Sequence, residues 1–380
     1  MSARLRVVVA MSGGVDSAVA AGLLVEAGHE VIGITMHLTD TDADAAERVG
    51  SCCAPDDVRD ARGVATQLGI PHFVANYKAQ FKAAVIDRFV MDYQAGRTPS
   101  PCVRCNSDLK FTTLMERALA LGADRLATGH YARVISDPDG TAHLLRAVEP
   151  SKDQSYFLFG VTQEALRRTW FPIGGLTKDA VREHARRLGL PVSGKAESMD
   201  LCFVPDGDYA GFVAKNAVAR AGDIVDMAGQ VLGRHNGIHQ FTVGQRKGLG
   251  LPGGTPTRFV IGVRGEDGRV VVGGRDALLV SGAVATGMSF IDAPGLAAGM
   301  AVLARVRHRS APAPASVASF DPITATATIA FREPLRAVAP GQALVLYSAT
   351  EPERVLGGGW IDRALPFQAE ATPSNLGSFA

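Results

Sequence analysis

Residues 10–17 read Ala10-Met11-Ser12-Gly13-Gly14-Val15-Asp16-Ser17. They close an apolar run that ends at Ala10 and open an amphipathic stretch, so a Gly-Gly turn and two hydroxyls stand where a strand hands over to a helix. Two glycines let the backbone come close to a phosphate. The exposed N–H groups of the first helical turn, together with the helix dipole, then favour the negative charge. No lysine follows the glycines in a G-K-[ST] order, which excludes a Walker A loop.

Around and beyond this turn, strand and helix patterns alternate. Val7–Ala10 reads as a strand, Asp16–Ala27 as a helix closed by Gly28, and Val31–Met36 as a second strand. Asp56–Leu68 has helical spacing, His72–Asn76 reads as a short strand and Lys78–Ala95 as a long helix. Phe111–Leu121 reads as another helix and Arg125–Thr128 as a fourth strand. Such alternation predicts an α/β fold with a doubly wound parallel sheet. Ligands of these sheets sit beyond the carboxyl ends of the strands, where Ser12–Ser17, Met36 and Gly129 all fall.

After Lys195 the texture changes. Asp206–Arg220 reads as one helix, and the stretch to Pro256 is Gly-rich and strand-like. From Arg258 onward short β-like runs dominate (Phe259–Val263, Arg269–Val272, Val302–Arg307, Thr324–Phe331, Ala343–Tyr347), predicting a small central domain and a C-terminal β-barrel or sandwich. The expected division is 1–205, 206–275 and 276–365, with a small, polar, disordered tail over 366–380.

At 380 residues the chain is too long for one ordinary core. A 47% hydrophobic and 20% charged composition is that of a globular protein, and a net charge of +1 leaves any nucleic-acid binding to local patches. No membrane-length apolar run and no leader pattern is present. Five cysteines, an odd number, fit thiol chemistry in a reducing cytoplasm better than a disulfide framework.

Two cysteine sites stand out. Gly96-Arg97-Thr98-Pro99-Ser100-Pro101-Cys102-Val103-Arg104-Cys105-Asn106 places Cys105 ahead of a predicted helix, with Arg104 and Lys110 near enough to favour its thiolate. Its C-x-x-C also suits a metal half-site or a redox pair. The second site is Met199-Asp200-Leu201-Cys202-Phe203, where a lone cysteine between Leu and Phe reads more readily as buried packing than as a reactive group. Cys52 and Cys53 are adjacent and read as structural.

With these motifs in order, the chain resembles the bacterial tRNA-specific 2-thiouridylases, tRNA-uridine 2-sulfurtransferases that place sulfur on C2 of the wobble uridine. The matching blocks are AMSGGVDS (10–17), GITM (33–36), GRTPSPCVRCN (96–106), TGHYAR (128–133), KDQSYFL (152–158), LCF (201–203), FTVGQRKGLG (241–250) and APGQ (339–342). The resemblance implies an ATP-pyrophosphatase (PP-loop) domain, with ATP bound by Ala10, Met11, Ser12, Gly13, Gly14, Val15, Asp16, Ser17, Met36 and Gly129, and Mg2+ accompanying the nucleotide with no protein ligand assigned. It makes Cys105 the nucleophile and Cys202 the persulfide carrier, the two ending as a disulfide that needs external reduction. Ser100, Pro101 and Cys102 would lie against the target base, and His130, Lys152, Asp153, Gln154, Arg307, His308 and Gln342 would contact tRNA. Many relatives carry aspartate where this chain has Cys102, so no acid–base role carries over to that position. The implied partners are a tRNA anticodon loop and a sulfur-relay protein or cysteine desulfurase, with no membrane.

Two features bear on the RNA. Residues 300–340 hold Arg305, Arg307, Arg309, Arg332 and Arg336 against Asp321 and Glu333, and the first three alternate along a predicted strand, so they would share one face. Arg246 and Lys247, among the glycines of 241–250, would form an RNA-facing loop. Rival readings are a Fe–S cluster on Cys102, Cys105 and Cys202, an amidating ligase with a similar ATP loop, and an RNA-binding protein that senses ATP.

Overall fold

The computed structural model describes residues 3–39, 55–196, 201–204, 207–216, 220–252, 256–291 and 295–367. Cys52, Cys53, Asp200 and the tail from 368 lie outside the described residues, as do the expectations that rest on them.

The N-terminal part is built on five parallel strands in the order His72–Asn76, Glu30–His37, Arg6–Ala10, Arg125–Thr128, Thr169–Trp170. The order reverses beside the first strand, so a crevice opens beyond the ends of Arg6–Ala10 and Arg125–Thr128. Val7, Val8 and Val9 are fully buried. Val8 packs into one core and Val7 and Val9 into another, as side chains alternating across a sheet covered on both faces must.

The N-terminal part also holds helices Val15–Glu26, Pro55–Leu68 and Lys178–Arg187. The last starts at Thr177, whose hydroxyl accepts from the Ala180 N–H at 3.2 Å.

Two helices differ from their sequence patterns. The stretch from Lys78 to Gln94 contains a π-helical turn over Lys82–Ile86. The helix expected from Phe111 begins ten residues earlier, at Pro101, whose fixed φ suits a first turn. It runs through Pro101–Arg104, then as a π-helix over Cys105–Leu114, then through Met115–Ala120. The hydroxyls of Thr112 and Thr113 reach back five residues to the carbonyls of Ser107 and Asp108, at 2.6 and 3.2 Å, and hold the widened turns.

In the central region the described helix is Tyr209–Asn216, within the Asp206–Arg220 window. Phe259–Val263 and Val270–Gly273 pair with Gly222–Val225 and Val231–His235 in a four-stranded sheet and take no part in the barrel. The C-terminal barrel closes in the order Leu279–Phe290, Thr326–Arg336, Ala313–Asp321, Ala301–Arg305, Ala343–Ser348, Val355–Pro366. The strand expected to run to Arg307 stops at Arg305, so Arg305, Arg307 and Arg309 do not form a one-faced stripe.

Candidate functional site

The turn after the first strand is held by its own hydroxyls. Ser17 Oγ donates to the Gly14 carbonyl at 3.1 Å, accepts from the Ser12 N–H at 3.1 Å and lies 3.2 Å from Ser12 Oγ. Gly14 caps the helix with extended backbone and no side-chain bond, leaving the first-turn N–H groups open. Gly13 has φ +75°, and a Cβ there would meet the Asp57 carbonyl at 2.3 Å. Across the crevice, a Cβ on Gly129 would stand 2.6 Å from the Ser17 nitrogen, so only glycine lets the end of Arg125–Thr128 approach the helix start.

Beyond these two strand ends lies a cavity of about 360 Å³, the size of an ordinary small-ligand pocket. Ala10, Met11, Ser12, Gly14, Val15, Asp16, Ser17, Met36 and Gly129 all line it; Gly13 does not, but its carbonyl accepts from Lys195. Met36 is nearly buried and gives one wall an apolar face.

Cys105 and Cys202 line the same cavity. Both are half-buried thiols. Of the helix position and the two cations expected to favour a Cys105 thiolate, only Lys110 acts in that direction. Cys105 sits inside a helical run and not ahead of one, and Arg104 is turned away over the Trp360 ring, 4.6 Å from its centroid. Burial pushes the Cys105 thiol up; Lys110 works against that rise and Asp108 adds to it. Cys102 does not line the cavity, nor do the buried Ser100 and Pro101.

The residues expected to touch RNA divide into two sets. His130, Lys152 and Gln154 line the cavity. Burial, reinforced by Lys110, holds the His130 imidazole well below its ordinary value, so it is neutral near pH 7. Asp153, between Lys152 and Gln154, is instead turned inward with its carboxylate fully buried against Arg305 at 2.7 Å. Arg307 donates to the carbonyls of Ala337 and Val243, and His308 lies against Phe157, ring centroids 4.3 Å apart. Gln342 donates to the carbonyls of Thr98 and Pro99, both at 3.0 Å, fixing the segment that leads to Cys105. In this structure these last four side chains fasten the barrel to the rest of the chain. Arg246 and Lys247 are exposed.

Sequence reasoning missed Lys178, Lys195 and Tyr131. Lys178 Nζ lies 2.7 and 2.9 Å from the two Asp16 oxygens, and the Tyr131 hydroxyl donates to Asp16 at 2.8 Å. Lys195 Nζ reaches Asp57 at 2.5 Å and Asp60 at 2.6 Å. Lys178 carried a readable signal: a lysine in the first turn of a helix opposes the dipole and needs another reason to be there.

Among the described residues no three His, Cys, Asp or Glu side chains gather to hold a metal. Cys102, Cys105 and Cys202 therefore do not fit a three-thiolate cluster. The cavity's carboxylates, Asp16 and Asp57, are each paired with a lysine. That donor set suits a Mg2+ ion carried mainly by a ligand's phosphates, not one caged by protein. No helix among the described residues is long and apolar enough to cross a membrane.

Three family models match the chain in order: a tRNA methyl transferase HUP domain over residues 5–206, a tRNA methyl transferase PRC-barrel domain over 210–274 and an aminomethyltransferase beta-barrel domain over 282–361. A tRNA-specific 2-thiouridylase MnmA of Geobacter metallireducens is 50% identical over 368 residues, 96% of this chain and 98% of that protein. Its counterpart in Sphingopyxis alaskensis is 51% identical over 369 residues, 96% of this chain and 92% of that protein. Among solved structures, a 4-thiouridine synthetase–RNA complex with bound ATP is 20% identical with a TM-score of 0.32, covering 53% of this chain and 46% of that one.

Proposed function

The chain belongs to the tRNA-specific 2-thiouridylase family, and from that premise we propose that it converts the wobble uridine of tRNA to 2-thiouridine at the expense of ATP. Oxide does not leave carbon, so O2 of the uracil must first be made a leaving group. Attack of O2 on the α-phosphorus of ATP breaks the bond to pyrophosphate and leaves an O2-adenylate. Sulfur then adds to C2, and the C2–O bond breaks with release of AMP. The terminal sulfur of a Cys202 persulfide can add directly; the Cys105 thiolate then attacks the Cys202 sulfur, giving the thiocarbonyl and a Cys105–Cys202 disulfide. Alternatively Cys105 attacks first and releases sulfide beside C2. Both routes end in the same disulfide, reduced by an external thiol.

The observation that carries this reading is that the Ser12–Ser17 turn, Cys105 and Cys202 share one cavity. The turn and the open N–H groups of Val15–Ser17 would receive the phosphates, with adenine and ribose toward Met36 and Gly129. Bound Mg2+ would neutralise phosphate charge there. His130, Lys152 and Gln154 would meet the tRNA from the cavity wall, while Ser100, Pro101, Asp153, Arg307, His308 and Gln342 act by positioning. An unstacked anticodon base can be swung into such a pocket at modest cost. Persulfide would come from a sulfur-relay protein or cysteine desulfurase, in a reducing cytoplasm. The division of labour is 1–205 for activation and sulfur transfer and 206–275 with 276–365 for tRNA.

The test is mass spectrometry of tRNA nucleosides from a strain lacking the protein. Wobble 2-thiouridine should vanish and return with the gene; its persistence would refute the reading. Pyrophosphate release that depends on tRNA separates the enzyme from an ATP-sensing RNA binder. A second expectation concerns the crevice. Gly129→Ala forces its Cβ against the helix start and should weaken binding of a non-hydrolysable ATP analogue about tenfold or more, measured by calorimetry. Unchanged affinity would place the nucleotide elsewhere.

A further inference from the structure

We propose that Lys110 is the residue that holds the charge of the Cys105 thiolate, set beside the sulfur by the π-helical turn between them. In an α-helix, residues five apart diverge by about 140° around the axis. In a π-helix they are joined by the i→i+5 hydrogen bond and fall on one face. Cys105–Leu114 is π-helical, and Cys105 and Lys110 both line the cavity. The widened turn thus has a chemical consequence: it delivers an ammonium to a thiol that would otherwise be left in an apolar wall.

The charge of Lys110 is also at liberty in a way that those of its neighbours are not. Lys178 is committed to Asp16, and Lys195 to Asp57 and Asp60. Among the described residues Lys110 has one hydrogen-bond partner, the neutral Asn106 Oδ1 at 3.0 Å, and no carboxylate within ion-pair reach. Asn106 is itself buried and bolted by its amide to the Phe157 carbonyl at 3.1 Å, so it aims the lysine without neutralising it. An ammonium has three donors, and two are left for an anion in the cavity.

The other groups near Cys105 do not supply this charge. Arg104 is held over Trp360, Asp108 on the solvent side carries the opposite sign, and His130 is kept neutral. Cys202 shares the cavity as a thiol, and Lys152 lies on its wall. Lys110 is therefore a positioning and charge-holding residue, and it deepens the sulfur-transfer reading, which needs Cys105 to act as a thiolate.

The experiment is alkylation of the full-length protein by iodoacetamide as a function of pH, without ATP or tRNA. Trypsin cuts after Arg104, so Cys102 and Cys105 fall in separate peptides and each rate is read by mass spectrometry. Lys110→Gln and Lys110→Met should raise the Cys105 midpoint by about one pH unit, slowing its alkylation about tenfold at neutral pH. Lys110→Arg should stay near the parent. Cys102, outside the cavity, reports in every variant whether the local fold is kept. A Cys105 midpoint unmoved in Gln and Met variants, or moved as far by Arg, overturns the proposal. Because no tRNA is present, that result stands apart from whether the chain thiolates RNA.

Discussion

Replacing Cys202 by serine should abolish 2-thiouridine formation, by about a thousandfold or more, while ATP and tRNA bind as before. Oxygen cannot carry a persulfide, and no other described thiol but Cys105 lines the cavity in which the activated base must be met. The substitution is close to isosteric at a half-buried position packed on the edge of a core, so its structural cost is about 1 kcal/mol or less. Cys105→Ser should stop turnover as completely and let persulfide accumulate on Cys202. On the proposed mechanism, in which the two sulfurs act as a unit, the double variant should be no worse than either single one. The assay is a single-turnover reaction with a persulfide donor and free sulfide scavenged. Full thiolation by Cys202→Ser under those conditions would remove its carrier role.

How far the sequence foretold this site depends on which force placed each part. The Gly-Gly turn and the strands flanking it were readable because local chemistry decides them: an apolar run, two glycines, then a helix pattern. Met36 and Gly129 followed from the rule that binding residues gather at strand ends. Cys105 was readable as a residue but not in its setting. Helix continuation through Pro101–Lys110 and the π turn depend on hydroxyl back-bonds and on the barrel pinning Thr98 and Pro99, which no local pattern announces. Three barrel strands, Leu279–Phe290, Ala313–Asp321 and Val355–Pro366, were hidden by small residues. In the last, a Cβ on Gly358 would stand 2.6 Å from the Leu344 carbonyl, so tight closure removed the side chains that would have shown a period of two. The arginines of 305–309 misled for the opposite reason. Their alternation was real in sequence, but the strand ends at Arg305 and a buried carboxylate claims that side chain.

That carboxylate carries the second large effect. Arg305→Met should cost about 3–5 kcal/mol, because it strands Asp153 without its main counter-charge in the interior. The side chains are 6% and 0% exposed, and the pair joins the 152–158 segment to the barrel strand of 301–305. Asp153 also accepts from the Ala147 and Ser155 N–H groups, both at 3.2 Å, and from Arg146 Nε at 3.3 Å, so it orders its own loop as well as the junction. Arg305 completes the knot through Tyr347 at 3.4 Å and the His308 carbonyl.

The companion change Asp153→Asn keeps an acceptor for the two backbone N–H groups while removing the charge. Asp153→Asn with Arg305→Met should therefore recover most of the loss, whereas Asp153→Ala with Arg305→Met should not. Urea unfolding reads this directly, since the two tryptophans, Trp170 in the parallel sheet and Trp360 in the barrel, report on the two sides of the junction. A loss below about 1 kcal/mol for Arg305→Met would assign the junction to its apolar contacts instead. Because Lys152 and Gln154 line the cavity on either side of Asp153, the single variant should also lose thiolation beyond what its folded fraction explains, and the Asn–Met pair should regain it. A loop ordered by one buried charge pair thus links barrel docking to the cavity wall that carries Lys152 and Gln154.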